Sequence, residues 1–180
     1  MSVFWARGYA GASMDDLLAA MQIGRQSLYA AFGDKRRLYV AALERYQQES
    51  VAGHLRRLRS GASPLAGVEA LMIGLIPTDD AERRLGCMGV GSVSEFGAAD
   101  ADLVELRARS GAVLFEALRE RLDAAKAAGE IDRSLDVSLT ARFLQATMQG
   151  VQLAARAGGD LASLKDLARF AVERLKPRQG

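Results

Sequence analysis

Nearly the whole chain reads as helix: apolar residues recur at spacings of three and four, and alternating β-branched runs bounded by turns are absent. One long stripe, Tyr39, Leu43, Tyr46, Val51, Leu55 and Leu58, follows Asp34, whose carboxylate suits a helix N-cap. A shorter helix is predicted from Pro64 to near Pro77, and a glycine-rich one from Gly86 to Phe96. The strongest long helix starts near Asp100 or Asp102 and stops at Gly129, with Leu103, Leu106, Val113, Leu114, Ala117, Leu118, Leu122 and Ala125 as its stripe. Asp136 caps the next, which has two apolar sides: Leu139, Phe143, Ala146, Gly150 and Leu153 on one, Val137, Leu144, Met148 and Val151 on the other. Two such sides imply burial by the body and by something else, often a second subunit. The last helix opens at Asp160, carries Leu161, Leu164, Leu167, Ala171 and Leu175, and is stopped by Pro177. The fold class is all-α.

Residues 8–37 hold the densest punctuation. Ser13-Met14-Asp15-Asp16 forms a near capping box, with Leu17, Leu18 and Met21 as the buried face of a short helix. Gln22-Ile23-Gly24 makes the turn, with Gly24 expected to permit a tight backbone and close helix approach. A second short helix runs from Arg25 to Ala31, with Leu28 and Phe32 pointing inward and Arg25, Gln26, Ser27 and Tyr29 outward. Two short helices so joined describe a helix-turn-helix, whose second helix fits the DNA major groove. Arg can bond guanine O6 and N7 together, and Gln adenine N6 and N7. Ser27 and Tyr29 offer hydroxyls to phosphates, as Ser13 does at the groove edge. Lys35 opens the next helix, where charge and free N–H groups favour a phosphate.

The net charge of +2 does not announce nucleic acid by itself. The first fifty residues carry six basic and five acidic side chains, a weak balance for a DNA-binding module. The cluster Lys35-Arg36-Arg37 compensates in part, because phosphate contacts depend on position. One cysteine, Cys87, excludes an internal disulfide and fits a reducing compartment. No segment approaches the roughly 20 apolar residues that span a bilayer, and no secretory signal is legible, so a cytoplasmic protein without membrane contact is expected.

The run Gly8-Tyr9, Ser13-Met14-x-Asp16-Leu17, Ile23, Ser27-Leu28-Tyr29-x-x-Phe32 and Lys35 resembles the DNA-binding unit of the tetracycline-repressor (TetR) family. The resemblance covers about thirty residues; the rest agrees in helix count and order. It implies three DNA-binding helices, a connecting fourth, and a pair of C-terminal helices that join subunits. By it, DNA contact falls to Ser13, Arg25, Gln26, Ser27, Tyr29 and Lys35. Residues 1–46 would form the DNA-binding domain and 47–180 the effector-binding and dimerisation domain. The implied function is a homodimeric transcriptional regulator, released from a double-stranded operator by a small molecule. The alternative is a helical dimeric binding protein with weak or lost DNA binding. The family's basic stretch ahead of its first helix is expected to be shortened, with only Ser2 to Arg7 before Gly8. Gly24 stands where a hydroxyl cap is usual.

The effector would enter around Met72, Cys87, Met88, Phe96, Phe115 and Phe143. Cys87 reads first as a small buried side chain. Some TetR-like proteins with a similar Gly-Cys start to this helix sense oxidants or electrophiles, and a helix N-terminus favours the reactive thiolate. His54, the only histidine, has no Cys, Asp or Glu at metal-ligand spacing and reads as solvated or interhelical. Asp79-Asp80 and Asp100-Ala101-Asp102 read as caps. No cofactor, metal or catalytic constellation is expected, so the chain is not read as an enzyme.

Overall fold

The computed structural model describes residues 1–177, and among these the chain forms ten helices and no strand. α1 (Ser2–Gly11) is broken at Gly8, whose φ of 72° and ψ of −178° lie in a region essentially restricted to glycine. α2 (Met14–Met21) opens with a complete capping box between Ser13 and Asp16. α3 (Arg25–Phe32) and α4 (Lys35–Ser60) follow, the latter capped by the Asp34 carboxylate on the Arg37 amide. α5 (Pro64–Gly74) takes Ser63 as its cap and Pro64 as its first residue.

A short charged helix, α6 (Asp80–Leu85), interrupts the predicted boundary after Pro77. It has no apolar stripe to betray it; Asp79 caps it, and the buried Arg83 ties it down by donating to the carbonyls of Pro77, Thr78 and Gly159. α7 (Met88–Phe96), α8 (Ala101–Ala127), α9 (Val137–Arg156) and α10 (Leu161–Glu173) complete the chain, with Asp100, Asp136 and Asp160 as caps of the last three.

Two apolar cores result, and α4 contributes to both. The first gathers Phe4, Leu17, Leu28, Leu38, Tyr39 and Leu43, and draws Met88, Leu103 and Leu106 from the body. The second packs Leu58, Val68, Leu71 and Met72 against Leu118 and Leu122 of α8, Leu144 and Val151 of α9, and Ala168 and Ala171 of α10. Two expected stripes are rotated slightly. Val113 on α8 and Leu167 on α10 face outward, while Ala168 and Val172 take the inner side of α10. On α9 the Leu144, Met148 and Val151 side is buried, and Leu139, Phe143 and Leu153 remain uncovered.

Several contacts tie α1 and the start of α4 to the body. The Trp5 indole donates to the Gly86 carbonyl at 2.9 Å, and Arg36 forks onto Asp100 while also pairing with Asp102. Tyr9, Tyr39 and Phe96 form a ring cluster with centroids 5.3–5.4 Å apart.

Candidate nucleic-acid interface and effector cavity

α3 is held by one buried residue, Leu28, which leaves Arg25, Gln26, Ser27 and Tyr29 exposed on its outer side. Tyr29 keeps 45% of its surface open, so its ring is not core. The turn before α3 differs from the expectation. Gln22 takes the left-handed conformation (φ 55°), whereas Gly24 is extended (φ −77°) and an added Cβ there would meet nothing within 4 Å. Glycine is therefore not needed at position 24 for tight backbone or close packing. Its effect is to leave α3 without a side-chain cap, a loss of about a few tenths of a kcal/mol.

Arg25 reaches back to Asp15 at 3.2 Å, an exposed pair that orients the guanidinium at little energetic gain. The Ser13 hydroxyl accepts the Asp16 amide at 3.0 Å and donates to the Asp16 carboxylate at 2.6 Å. Its donor is thus committed, and a phosphate would meet it mainly through the helix start it stabilises. Hydrogen bonding from Ser13, with Arg7 alongside, holds the Asp16 carboxyl below the usual range. Lys35 sits at the α4 N-terminus with its Nζ 4.5 Å above the Tyr9 ring, a cation–π contact that holds the ammonium against α1.

Behind this unit a cavity of about 760 Å³ opens between α4, α7, α8 and α9. Tyr46, Ser50 and His54 line it from α4, Cys87 and Val93 from the α7 region, Arg107 and Leu114 from α8, and Gln145, Met148 and Gln149 from α9. The His54 Nε2 lies 3.2 Å from the Ser50 hydroxyl, while its Nδ1 is buried without a partner among the described residues. Burial, aided by the Arg57 charge, pulls the ring down to about 4, so it is neutral near pH 7. Burial, with the Cys87 thiol beside it, pushes the Tyr46 phenol well above its ordinary range. Among the described residues no cluster of His, Cys, Asp and Glu could hold a metal ion, and no helix is long and apolar enough to cross a membrane.

A family model described as bacterial regulatory proteins, tetR family, matches residues 1–42, and one described as tetracyclin repressor-like, C-terminal domain, matches residues 64–171. The chain belongs to the TetR family. It is therefore a DNA-binding transcriptional regulator rather than an enzyme. It is 30% identical over 168 residues to the uncharacterized HTH-type transcriptional regulator YezE of Bacillus subtilis (strain 168), spanning 92% of this chain and 87% of that protein. The HTH-type transcriptional repressor ComR of Escherichia coli (strain K12) is 30% identical over 172 residues, spanning 93% and 81%. A TetR-family regulator from Agrobacterium tumefaciens superposes with a TM-score of 0.85 at 23% identity, over 98% of this chain and 93% of that one. A cysteine mutant of the TetR-family regulator CifR, solved with 26 bp operator DNA, gives a TM-score of 0.79 at 27% identity over 96% and 91%.

Of the predicted interface residues, Arg25, Gln26, Ser27 and Tyr29 are exposed on α3, while Ser13 opens α2 and Lys35 opens α4; the predicted effector residues scatter. Of the six, only Cys87 lines the cavity. Met72 is fully buried in the body core, and Met88 is buried in the N-terminal core. Phe96 packs on Tyr9 and Tyr39, Phe115 lies under Arg142, and Phe143 faces outward on α9. Large apolar side chains went to cores because burial rewards area wherever it occurs. The polar wall of His54, Ser50, Arg107 and three α9 glutamines was missed, since mid-helix polar residues read as solvated. A lone histidine in an apolar stretch of α4 was the available signal.

Proposed function

We propose that this TetR-family protein is a homodimeric repressor that grips a pseudo-palindromic operator and lets go when a small molecule fills its cavity. One observation carries the DNA half: Arg25, Gln26, Ser27 and Tyr29 are exposed together on a helix anchored by the buried Leu28 and the half-buried Phe32. In that reading Arg25 and Gln26 read bases, Ser27, Tyr29 and Lys35 meet phosphates, and Ser13 sets the edge of the contact. The repressor sense follows the relative named as one and the operator complex of CifR. Residues 1–46 act as the DNA-binding domain, and residues 47–180 hold effector and partner. The uncovered apolar sides of α9 and α10 pair two subunits, placing two copies of α3 about 34 Å apart on successive major grooves. The chain works in the cytoplasm.

Fluorescence anisotropy against duplexes flanking its own gene, at low and moderate salt, tests this. Tight, salt-sensitive binding of one such duplex over a scrambled one is expected. Equal binding to both would favour a helical dimeric protein that has lost DNA recognition.

A second class of effector has its own support: Cys87 is the only cysteine, and its thiol lines the cavity beside Tyr46. A thiol-alkylating effector would release DNA from the wild type and leave a Cys87→Ser variant bound.

A further inference from the structure

The cavity has an electrostatic asymmetry. Among its described lining residues Arg107 is the only charged side chain, because His54 is neutral and no Asp or Glu lines the space. Among the described residues Arg107 also has no carboxylate within ion-pair distance; its guanidinium donates to the Ser92 hydroxyl at 3.3 Å and to the Gly97 carbonyl. Glu95, which shares Tyr39 as a neighbour with Arg107, is committed to the backbone amides of Tyr9 and Ala10. A guanidinium holds more N–H donors than these two contacts use. The rest of the lining is uncharged and mixes aliphatic side chains, Val51, Val90, Val93, Leu114 and Met148, with neutral polar ones such as Ser50, Gln145 and Gln149.

From this we infer that the effector is a small amphipathic anion, a carboxylic acid with an apolar body, whose carboxylate engages Arg107. The inference rests on the effector-released repressor reading above. A charge-assisted, two-pronged contact from guanidinium to carboxylate is stronger than bonds to a hydroxyl and a neutral carbonyl. The ligand therefore competes with Ser92 and Gly97 for Arg107. Gly97 ends α7, and Arg107 is its tie to α8 at that point. Losing the tie loosens the last turn of α7, whose Glu95 and Phe96 hold α1 and α4 in place. The ligand's charge thus acts on the element that orients the DNA-binding helices. A ligand shifts such an equilibrium only by binding one state better, and rearrangement of Arg107 supplies that difference.

Calorimetry on the full chain without DNA, using octanoate and benzoate against octanol and benzyl alcohol, tests the ligand class. Each acid is expected to bind at least about ten-fold tighter than its alcohol. Arg107→Gln should erase that difference and Arg107→Lys should keep part of it, with thermal melts confirming that both fold. Ser94→Asp places a carboxylate in the same cavity without touching Arg107, and should also erase the preference. Acids that bind no tighter than alcohols in the wild type, or a preference that survives in folded Arg107→Gln or in Ser94→Asp, would overturn the inference. A gel shift with the flanking duplex then reads the coupling: octanoate should release the wild type and not Arg107→Gln, and release of both would overturn it. Because preference is read without DNA, the two ideas fail separately. Preference without duplex binding strikes the repressor reading, and duplex binding without preference strikes the anion.

Discussion

The carboxylate of Glu95, near the end of α7, accepts the backbone amide of Tyr9 at 3.0 Å and that of Ala10 at 3.0 Å. α1 breaks at Gly8, so these amides begin a fresh helical turn and have no carbonyl ahead of them. Glu95 thus caps, from the body, a helix of the DNA-binding unit. Glu95→Gln keeps one acceptor and loses the charge; Glu95→Ala loses both. The alanine variant should cost about 0.5–2 kcal/mol and loosen residues 1–12. Amide hydrogen exchange checks this: faster exchange confined to the first helices is expected, and unchanged protection there would refute the clamp.

Gly8 makes that clamp possible, since its φ is positive and an added Cβ would collide with the Glu95 carboxylate. Gly8→Ala should destabilise by about 1–3 kcal/mol, read as a lowered urea midpoint at unchanged slope. Glu95→Ala in the Gly8→Ala background should recover part of the loss, because one of the two penalties is steric.

Arg25 and Gln26 carry the sequence choice in the proposed repressor, and Lys35 carries affinity. Arg25→Ala and Gln26→Ala should each lower discrimination between operator and random duplex by about 1–3 kcal/mol. Lys35→Ala should weaken both duplexes alike and shallow the salt slope by about one ion. Asp15→Asn frees Arg25 from its exposed partner and removes a negative charge beside the groove. It should tighten binding to every duplex. Equal losses on operator and random duplex for all three alanine variants would refute this division of labour.

The caps were the most legible part of the fold. Asp34, Asp100, Asp136 and Asp160 each start a helix where a polar residue with a short side chain precedes an apolar period. The outward set on α3 was legible because Leu28 and Phe32, four residues apart, turn inward and leave Arg25, Gln26, Ser27 and Tyr29 outside. The cavity was not. Its walls come from four helices spread between Tyr46 and Leu153, and its polar lining from Ser50, His54, Gln145 and Gln149 occupies helix positions that solvent would suit equally well. α6 escaped because one buried arginine anchors it instead of an apolar stripe. At Gly24 the glycine was legible and its cause was not: the left-handed turn residue is Gln22.

His54 sets a pH dependence. The folded ring takes its proton near pH 4 and the unfolded ring near 6.5, so between these values the unfolded chain binds more protons. Stability should therefore be whole above about pH 6.5 and fall as acid is added toward pH 4, by about 2–3 kcal/mol from this ring. Asp16, Asp100 and Asp160 have lowered carboxyl ranges and act on the acid side of this window. Unfolding midpoints in urea at pH 5 and pH 7 should differ in the wild type and converge in His54→Gln. A variant that keeps the full pH difference would assign it elsewhere.

Subunit pairing can be placed on the surface by the same logic of burial. Leu139, Phe143 and Leu153 on α9 and Leu167 and Phe170 on α10 are large, apolar and uncovered, with Leu139 68% and Phe170 61% exposed. Polar residues would be expected on a solvent-facing side of helices whose opposite sides already fill the core. Each such side chain, once covered, contributes about 1.5–3 kcal/mol, so five on each of two subunits suffice for a stable pair after the costs of association. Phe143→Asp and Leu153→Asp each put a charge on that uncovered surface; Leu153 also lines the cavity, so Phe143→Asp is the variant that leaves the cavity lining unchanged. They should give helical, folded monomers by light scattering and circular dichroism. A monomer presents one copy of α3 where the operator offers two half-sites, so the same variants should lose most of their operator affinity while random-duplex binding changes little. A dimer that persists in both variants would move the interface off α9 and α10.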